Sequence, residues 1–528
     1  MKVRNFTTLV LSLVTAAFSL GAALGQQIKV TGGLVSGVPG TDPSILTYKG
    51  IPFATPPVGA LRWREPQPIV AWPDVLKADK FSASCIQQIV PEFGPWTYEF
   101  MTHNDVSEDC LYLNVFTPAK SASAKLPVFV HIYGGGFMQG SAAVPIYDGE
   151  GLAKKGLVVV TFNYRLGALG FLAHPELTKE SAHHASGNYG LMDQIAALRW
   201  VHQNIAHFGG DPNNVTIAGQ SAGSMSVHDL TASPLAKGLF HRAIAQSGGS
   251  TVGGVGLSVE PAPLASAEAA GERFAELKEA KSLAELRSLS WQKILESMPG
   301  ADPMSGPHFA PIVDGYVLPA PFMDIIAQGK QNDVETLTGG TTGELGGLFA
   351  PGAPITAKGF QDQARKRYGD AADQFLKLYP AATDEQAQTA QRDSTRDQAL
   401  VAMYLWAKVR SKTAKTKVYE YLWDHALPGP AAAKYGAFHS SEIPYVMNTL
   451  DNSKRPFTDE DRRIAAMMSS YWANFAATGD PNGSGLPLWP ALGEKPEIME
   501  VGDKAGPIPL AGTPAKLEFF KTFLSRSK

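Results

Sequence analysis

Ser221, Glu344 and His439 are a hydroxyl, a carboxylate and an imidazole, the three side-chain types that together can attack a carbonyl carbon and carry its acyl group. Ser221 sits in Gly219-Gln220-Ser221-Ala222-Gly223, after the apolar run Val215 to Ala218 and before a helix-compatible stretch. Gly-x-Ser-x-Gly between a strand and a helix predicts a nucleophile elbow. So sharp a turn strains the backbone and leaves no room for side chains at the glycines. It lifts the hydroxyl to a helix N-terminus, whose dipole favours developing negative charge. A serine hydroxyl is a poor nucleophile until a base takes its proton. Well beyond Ser221 lie His308, His425 and His439. His439 is the predicted base, because Gly436-Ala437-Phe438-His439-Ser440-Ser441-Glu442 reads as a loop that could present an imidazole. His425, after Trp423-Asp424 at a strand end, reads equally well as a surface residue. On such a framework the acid falls between serine and histidine along the chain. Glu344 follows the apolar run 334–338 in a small-residue loop and could hold the second imidazole nitrogen. Asp314 and Asp333 are rivals on pattern alone. Tyr133-Gly134-Gly135-Gly136-Phe137 follows the run 126–132, and its three glycines can turn N–H groups toward an oxyanion, together with the N–H of Ala222.

These residues need strand ends that lie side by side. Leu126 to Tyr133 and Leu157 to Asn163 are compact runs of the kind that form buried strands. Further strands are expected at Asn214 to Gly219, Arg242 to Gln246, Val334 to Gly340 and Lys417 to Leu422. Between about 191 and 207, Leu191, Ile195, Leu198 and Ile205 recur at helical spacing. Thr458 and the acidic residues after it suit a helix N-terminus, and the stripe Ile464, Met467, Met468, Tyr471, Trp472 and Phe475 ends near Gly479. Strands separated by helices predict an α/β fold with a large, mostly parallel central sheet flanked by helices, and the elbow at Ser221 makes the expected type the α/β-hydrolase fold. Residues 26–125 read as small strands and loops, and Gly248 to Gly256 as a loop. Helical patterns at 265–297 and 355–413 interrupt the strand order, so the region 265–413 is expected to form a cap over one end of the sheet.

Composition narrows the partners. With 46 basic and 49 acidic residues in 528, the chain has neither a basic footprint for nucleic acid nor a polybasic surface for anionic lipid. The expected partner is a small neutral or mixed molecule. Lys2, Arg4, the apolar run Leu9 to Leu20 and the small residues to Gly25 read as a secretory leader. The rest, 26–528, is expected to be one catalytic domain, periplasmic or extracellular, monomeric or a small homo-oligomer. An N-terminal anchor is the alternative for the leader, but its apolar stretch is short for a span. Only Cys85 and Cys110 are present. In an exported chain an even pair suggests one disulfide closing a loop of about 25 residues, worth roughly 3–4 kcal/mol; two buried thiols are the alternative. His183-His184 and His202/His207 lack the spacing of a helical zinc pair, so neither a metal nor another cofactor is expected.

Other blocks carry a resemblance. Ser107-Glu108-Asp109-Cys110-Leu111-Tyr112-Leu113-Asn114, Phe162-Asn163-Tyr164-Arg165, Phe208-Gly209-Gly210-Asp211-Pro212 and Glu442-Ile443-Pro444-Tyr445-Val446 resemble the type-B carboxylesterase/lipase family, which includes cholinesterases and bacterial para-nitrobenzyl esterases. The likeness covers nearly the whole chain after the leader. It implies ester hydrolysis through an acyl-enzyme, with Ser221 as nucleophile, Glu344 as acid, His439 as base, and Gly135, Gly136 and Ala222 as oxyanion donors. It also implies a Cys85–Cys110 disulfide, a structural Arg165–Asp193 pair, and Gln220, Ser247 and Glu442 as polar neighbours of the triad. Many members have Glu where Gln220 stands, which weakens the case for a cationic substrate. Cholinesterases carry a Trp in the loop closed by the first disulfide; here Phe100 holds that place, with Trp96 nearby. A non-catalytic adhesion protein on the same fold typically lacks a triad member, whereas all three positions are filled here. An interfacial lipase would need an apolar rim that sequence does not reveal.

Overall fold

The computed structural model describes residues 27–248, 261–296, 309–344, 355–430, 432–493 and 495–526. The expected leader, His308 and the glycine-rich stretch from 249 to 256 lie outside the described residues. Eleven strands form one sheet: β1 (Val38–Pro39), β2 (Leu46–Pro52), β3 (Tyr112–Thr117), β4 (Leu126–Ile132), β5 (Val158–Phe162), β6 (Gly210–Gln220), β7 (Arg242–Gln246), β8 (Glu335–Thr341), β9 (Val418–Trp423), β10 (Glu497–Val501) and β11 (Ala505–Pro509). Their spatial order is β11-β10-β9-β8-β7-β6-β4-β5-β3-β2-β1. The run from β10 to β5 is parallel throughout, and antiparallel partners finish both edges. Every residue of β5, Val-Val-Val-Thr-Phe, is buried, as a strand covered on both faces requires.

Flanking helices include α1 (Tyr189–Asn204), α2 (Ala222–Ala232), α3 (Asp384–Arg410) and α4 (Asp459–Thr478). The expected ends of α4 are realised. Thr458 and Asp461 form a capping box, and Gly479 closes the helix at φ 81°. The stretch 265–297 is not one helix. It divides into Leu264–Leu277, Leu283–Ser288 and Trp291–Leu295, because the Ser282 and Ser290 hydroxyls accept backbone N–H groups and start new helices. The C-terminal β10, β11 and the helix Pro514–Arg526 were not expected; the strands are short and interrupted by charge and proline. Among the described residues no helix is long and apolar enough to cross a membrane.

Two features brace the frame. Cys85 and Cys110 are disulfide-bonded, closing the loop before β3. Arg165 and Asp193 are both buried, with the guanidinium giving Nε and Nη2 to the carboxylate at 2.8 and 2.7 Å. The backbone N–H of Arg165 adds a third bond at 3.0 Å.

Candidate active site

The turn after β6 sets Ser221 at φ 58° and ψ −124°, a conformation that non-glycine residues rarely adopt. Close packing enforces it. A Cβ on Gly223 would meet the Ile132 carbonyl oxygen, and one on Gly219 the backbone of Gly223. The chain therefore passes from strand to helix with Ser221 immediately before α2, at the mouth of a cavity of about 300 Å³. Gly134, Gly135 and Gly136 line the same cavity, with Gly135 held at φ 110°. Among the described residues no intramolecular acceptor takes the N–H of Gly135, Gly136 or Ala222.

The loops after the neighbouring strands complete the constellation. Glu344 follows β8 by three residues, and its Oε1 lies 3.5 Å from Nδ1 of His439. That is an ion-pair distance, longer than a strong hydrogen bond. The same oxygen accepts the N–H of Thr341 at 3.1 Å, which fixes the carboxylate. His439 comes from the loop after β9 and lines the cavity beside Ser221 and Ser440. Gln220 reaches across to it: its Nε2 is 3.1 Å from His439 Nε2, while its Oε1 accepts the Ser440 hydroxyl. Of the rivals, Asp314 caps a turn through the N–H groups of Tyr316 and Leu318, and Asp333 pairs with Arg410. His425 bridges Asp461 and Asp503. None of these three lines the cavity.

Behind Ser221, His439 and Glu344 is a buried polar layer. Ser247 directly follows β7 at φ 55°, and its hydroxyl has no partner among the described residues. Glu442 is fully buried and accepts Gln246 Nε2 at 3.2 Å. Burial, and next the charge of Glu344, push its carboxyl up from 4.5 to about 7. The folded protein therefore keeps a proton that the unfolded chain releases, so this group's contribution to stability falls as pH rises from 4.5 to about 7. The whole window amounts to about 3 kcal/mol. Glu442→Gln should flatten that part of the profile, read by urea unfolding at about pH 5 and about pH 8; an unchanged slope would exclude Glu442 as its source.

The cavity wall comes from the disulfide-closed loop, where the resemblance pointed to Phe100 and Trp96; sequence reasoning missed Phe93 and Gln87. Phe93, Trp96 and Phe100 line it, and the last two rest edge-on against Phe438, which precedes His439. Gln87 clamps this loop to the glycine turn: it donates to the Gly140 carbonyl at 2.7 Å and accepts the Gly140 N–H at 2.8 Å. No described residue of 265–413 lines the cavity. Arg455 pins the wall from behind, donating to Glu99 at 2.6 Å, to Thr97 Oγ1 at 2.7 Å and to the Pro95 carbonyl at 2.9 Å. Arg455→Met should loosen the wall and raise KM for p-nitrophenyl butyrate about three- to tenfold with kcat little changed. Steady-state kinetics check this, and a loss confined to kcat would contradict it.

The chain matches the Carboxylesterase family over residues 25–519. It belongs to the type-B carboxylesterase family. The esterase is 38% identical to the fumonisin B1 esterase of Sphingopyxis macrogoltabida, over 90% of this chain and 86% of the relative. It is 36% identical to the para-nitrobenzyl esterase of Bacillus subtilis, over 86% and 90% of the two chains. The human cocaine esterase is 34% identical, over 90% and 86%. Like the family, the esterase hydrolyses carboxylic esters.

Proposed function

We propose that the esterase is exported by residues 1–25 and then works as a single catalytic domain on small to medium esters that are uncharged where they occupy the cavity beside Ser221. Ser221 Oγ bonds to the ester carbonyl carbon while His439 takes its proton, and Gly135, Gly136 and Ala222 hold the oxyanion. Collapse breaks the carbon–alkoxy bond, and the His439 proton leaves with the alcohol. Water, deprotonated by His439, then attacks the acyl-serine and releases the acid. Glu344 keeps the imidazole oriented and stabilises its cation.

The observation that carries this reading is the convergence on one cavity of Ser221, of His439 with Glu344 at its Nδ1, and of Gly135 and Gly136, whose N–H groups have no intramolecular acceptor among the described residues. Its lining supports neutral substrates, since none of the described lining residues is Asp, Glu, Lys or Arg. A second reading, an interfacial lipase, draws support from the rim, where Ile89 and Phe93 are 49% and 48% exposed. Hydrolysis of p-nitrophenyl esters from acetate to palmitate separates the two. A maximum at short chains supports the esterase reading. A maximum at long chains with a jump at the emulsion boundary supports the lipase. A folded protein inert on every ester would sink both.

A further inference from the structure

A second cavity, about 560 Å³, lies behind the loops that carry the acid and the base. Thr342 and Gly343, directly before Glu344, form one side, and Gly436 and Ala437, just before His439, form another. The Gly343 N–H donates to the Ala437 carbonyl at 2.9 Å, so the two loops are joined there. The remaining wall is charged. Arg392 and Arg396 project from α3 one helical turn apart, and Lys434 faces them from the short helix Ala432–Tyr435.

The charges do not cancel. Arg396 is engaged with Asp397 at 2.8 Å and Asp393 at 3.6 Å. Arg392 bonds only the Thr389 hydroxyl, at 3.2 Å, and Lys434 lies over the Tyr435 ring; among the described residues neither has a carboxylate partner. Three cations against two carboxylates leave an excess positive charge in a concave, polar site, the environment that takes a carboxylate through charge-assisted hydrogen bonds. The contrast with the first cavity, whose described lining residues include no Asp, Glu, Lys or Arg, is sharp. A thin partition separates them. Tyr435 Oη stands 3.9 Å from where a Cβ on Gly94 would lie, and Phe93 and Trp96, on either side of Gly94, line the first cavity.

We propose that this second cavity is a carboxylate-binding site, with Arg392 and Lys434 as its uncompensated ligands. The bound group is either a free carboxylate carried by the ester substrate, reaching over the partition from Ser221, or a separate carboxylic acid such as the product. The substrate arm rests on the ester-hydrolysis reading above, and neutral-ester turnover tests that reading independently.

The experiment compares wild type with an R392Q/K434Q double variant, whose two changes lie on exposed side chains. Mono-p-nitrophenyl glutarate and p-nitrophenyl pentanoate are the paired substrates at low ionic strength, and free glutarate is titrated calorimetrically. The double variant should lose about tenfold or more in kcat/KM on the glutarate ester, as loss of charge-assisted bonds implies, and keep its pentanoate rate. That result assigns the carboxylate to the substrate. Glutarate binding that the variant abolishes, with both ester rates unchanged, assigns it to a free acid. If the variant matches wild type in both arms, the site does not exist. If pentanoate is not hydrolysed by wild type, the ester reading fails separately, and the titration alone decides the site.

Discussion

Ser221→Ala should lower kcat/KM for p-nitrophenyl butyrate by at least about a thousandfold, leaving only the rate that binding and the oxyanion donors supply. The size follows from the geometry. With no Oγ, His439 has nothing to deprotonate and no acyl-enzyme forms. The substitution keeps the Cβ that the turn at φ 58° already accommodates, so the fold and the packing of Gly219 against Gly223 stay as they are. The melting temperature should therefore move little, and the loss is chemical. A burst of p-nitrophenol from wild type, absent in the variant, would identify the serine as the site of acylation. Activity retained in the variant would remove Ser221 from the mechanism.

Asp193→Ala should destabilise the protein by about 3–5 kcal/mol, because it strands a buried guanidinium. Arg165 is 4% exposed and directs both Nε and Nη2 at that carboxylate; among the described residues only Nη1 has another acceptor, the Arg64 carbonyl at 2.9 Å. Burial pushes the Asp193 carboxyl up and the Arg165 charge pulls it down, so the pair persists only while both members are present. Replacing both, as Arg165→Met with Asp193→Leu, should recover much of the loss, since an apolar pair of similar volume strands no charge. Urea unfolding of the single and double variants gives the comparison. A single variant within about 1 kcal/mol of wild type would mean that water reaches the guanidinium.

The parallel strands were legible because they are short, apolar and β-branched. Arg242–Gln246 coincides with its expected bounds, and Val418–Trp423 is displaced by one residue. The antiparallel edges were less so. Residues 26–125 read only as small strands and loops without bounds, and the limits of β2 and β3 are set by their pairing with each other and by that of β3 with β5. Ser221 and the glycine turn could be named from local signals, since each directly follows a strand; His439 was read from its loop sequence, and Glu344 stood beside Asp314 and Asp333 until the resemblance singled it out. Gln87 and Arg455 could not be named. The contacts of Gln87 with Gly140 and of Arg455 with Glu99 span 53 and 356 residues of sequence, and no local pattern encodes them. The second cavity was equally silent, because Arg392 and Lys434 meet only once α3 and the loop after β9 are packed.

The bond between Cys85 and Cys110 has a consequence for how such enzymes diversify. It fixes both ends of the segment that shapes the wall facing the substrate, while Ser221, Glu344 and His439 all lie outside that segment. On the proposed mechanism, much of the wall that meets the substrate is thereby encoded apart from the groups that react. The bond holds the points where the segment enters and leaves the domain, so lining positions that neither Gln87 nor Arg455 holds, such as Ile89 and Phe93, can change the wall without moving its ends. Directed evolution confined to it explores new substrates while the reacting groups stay put.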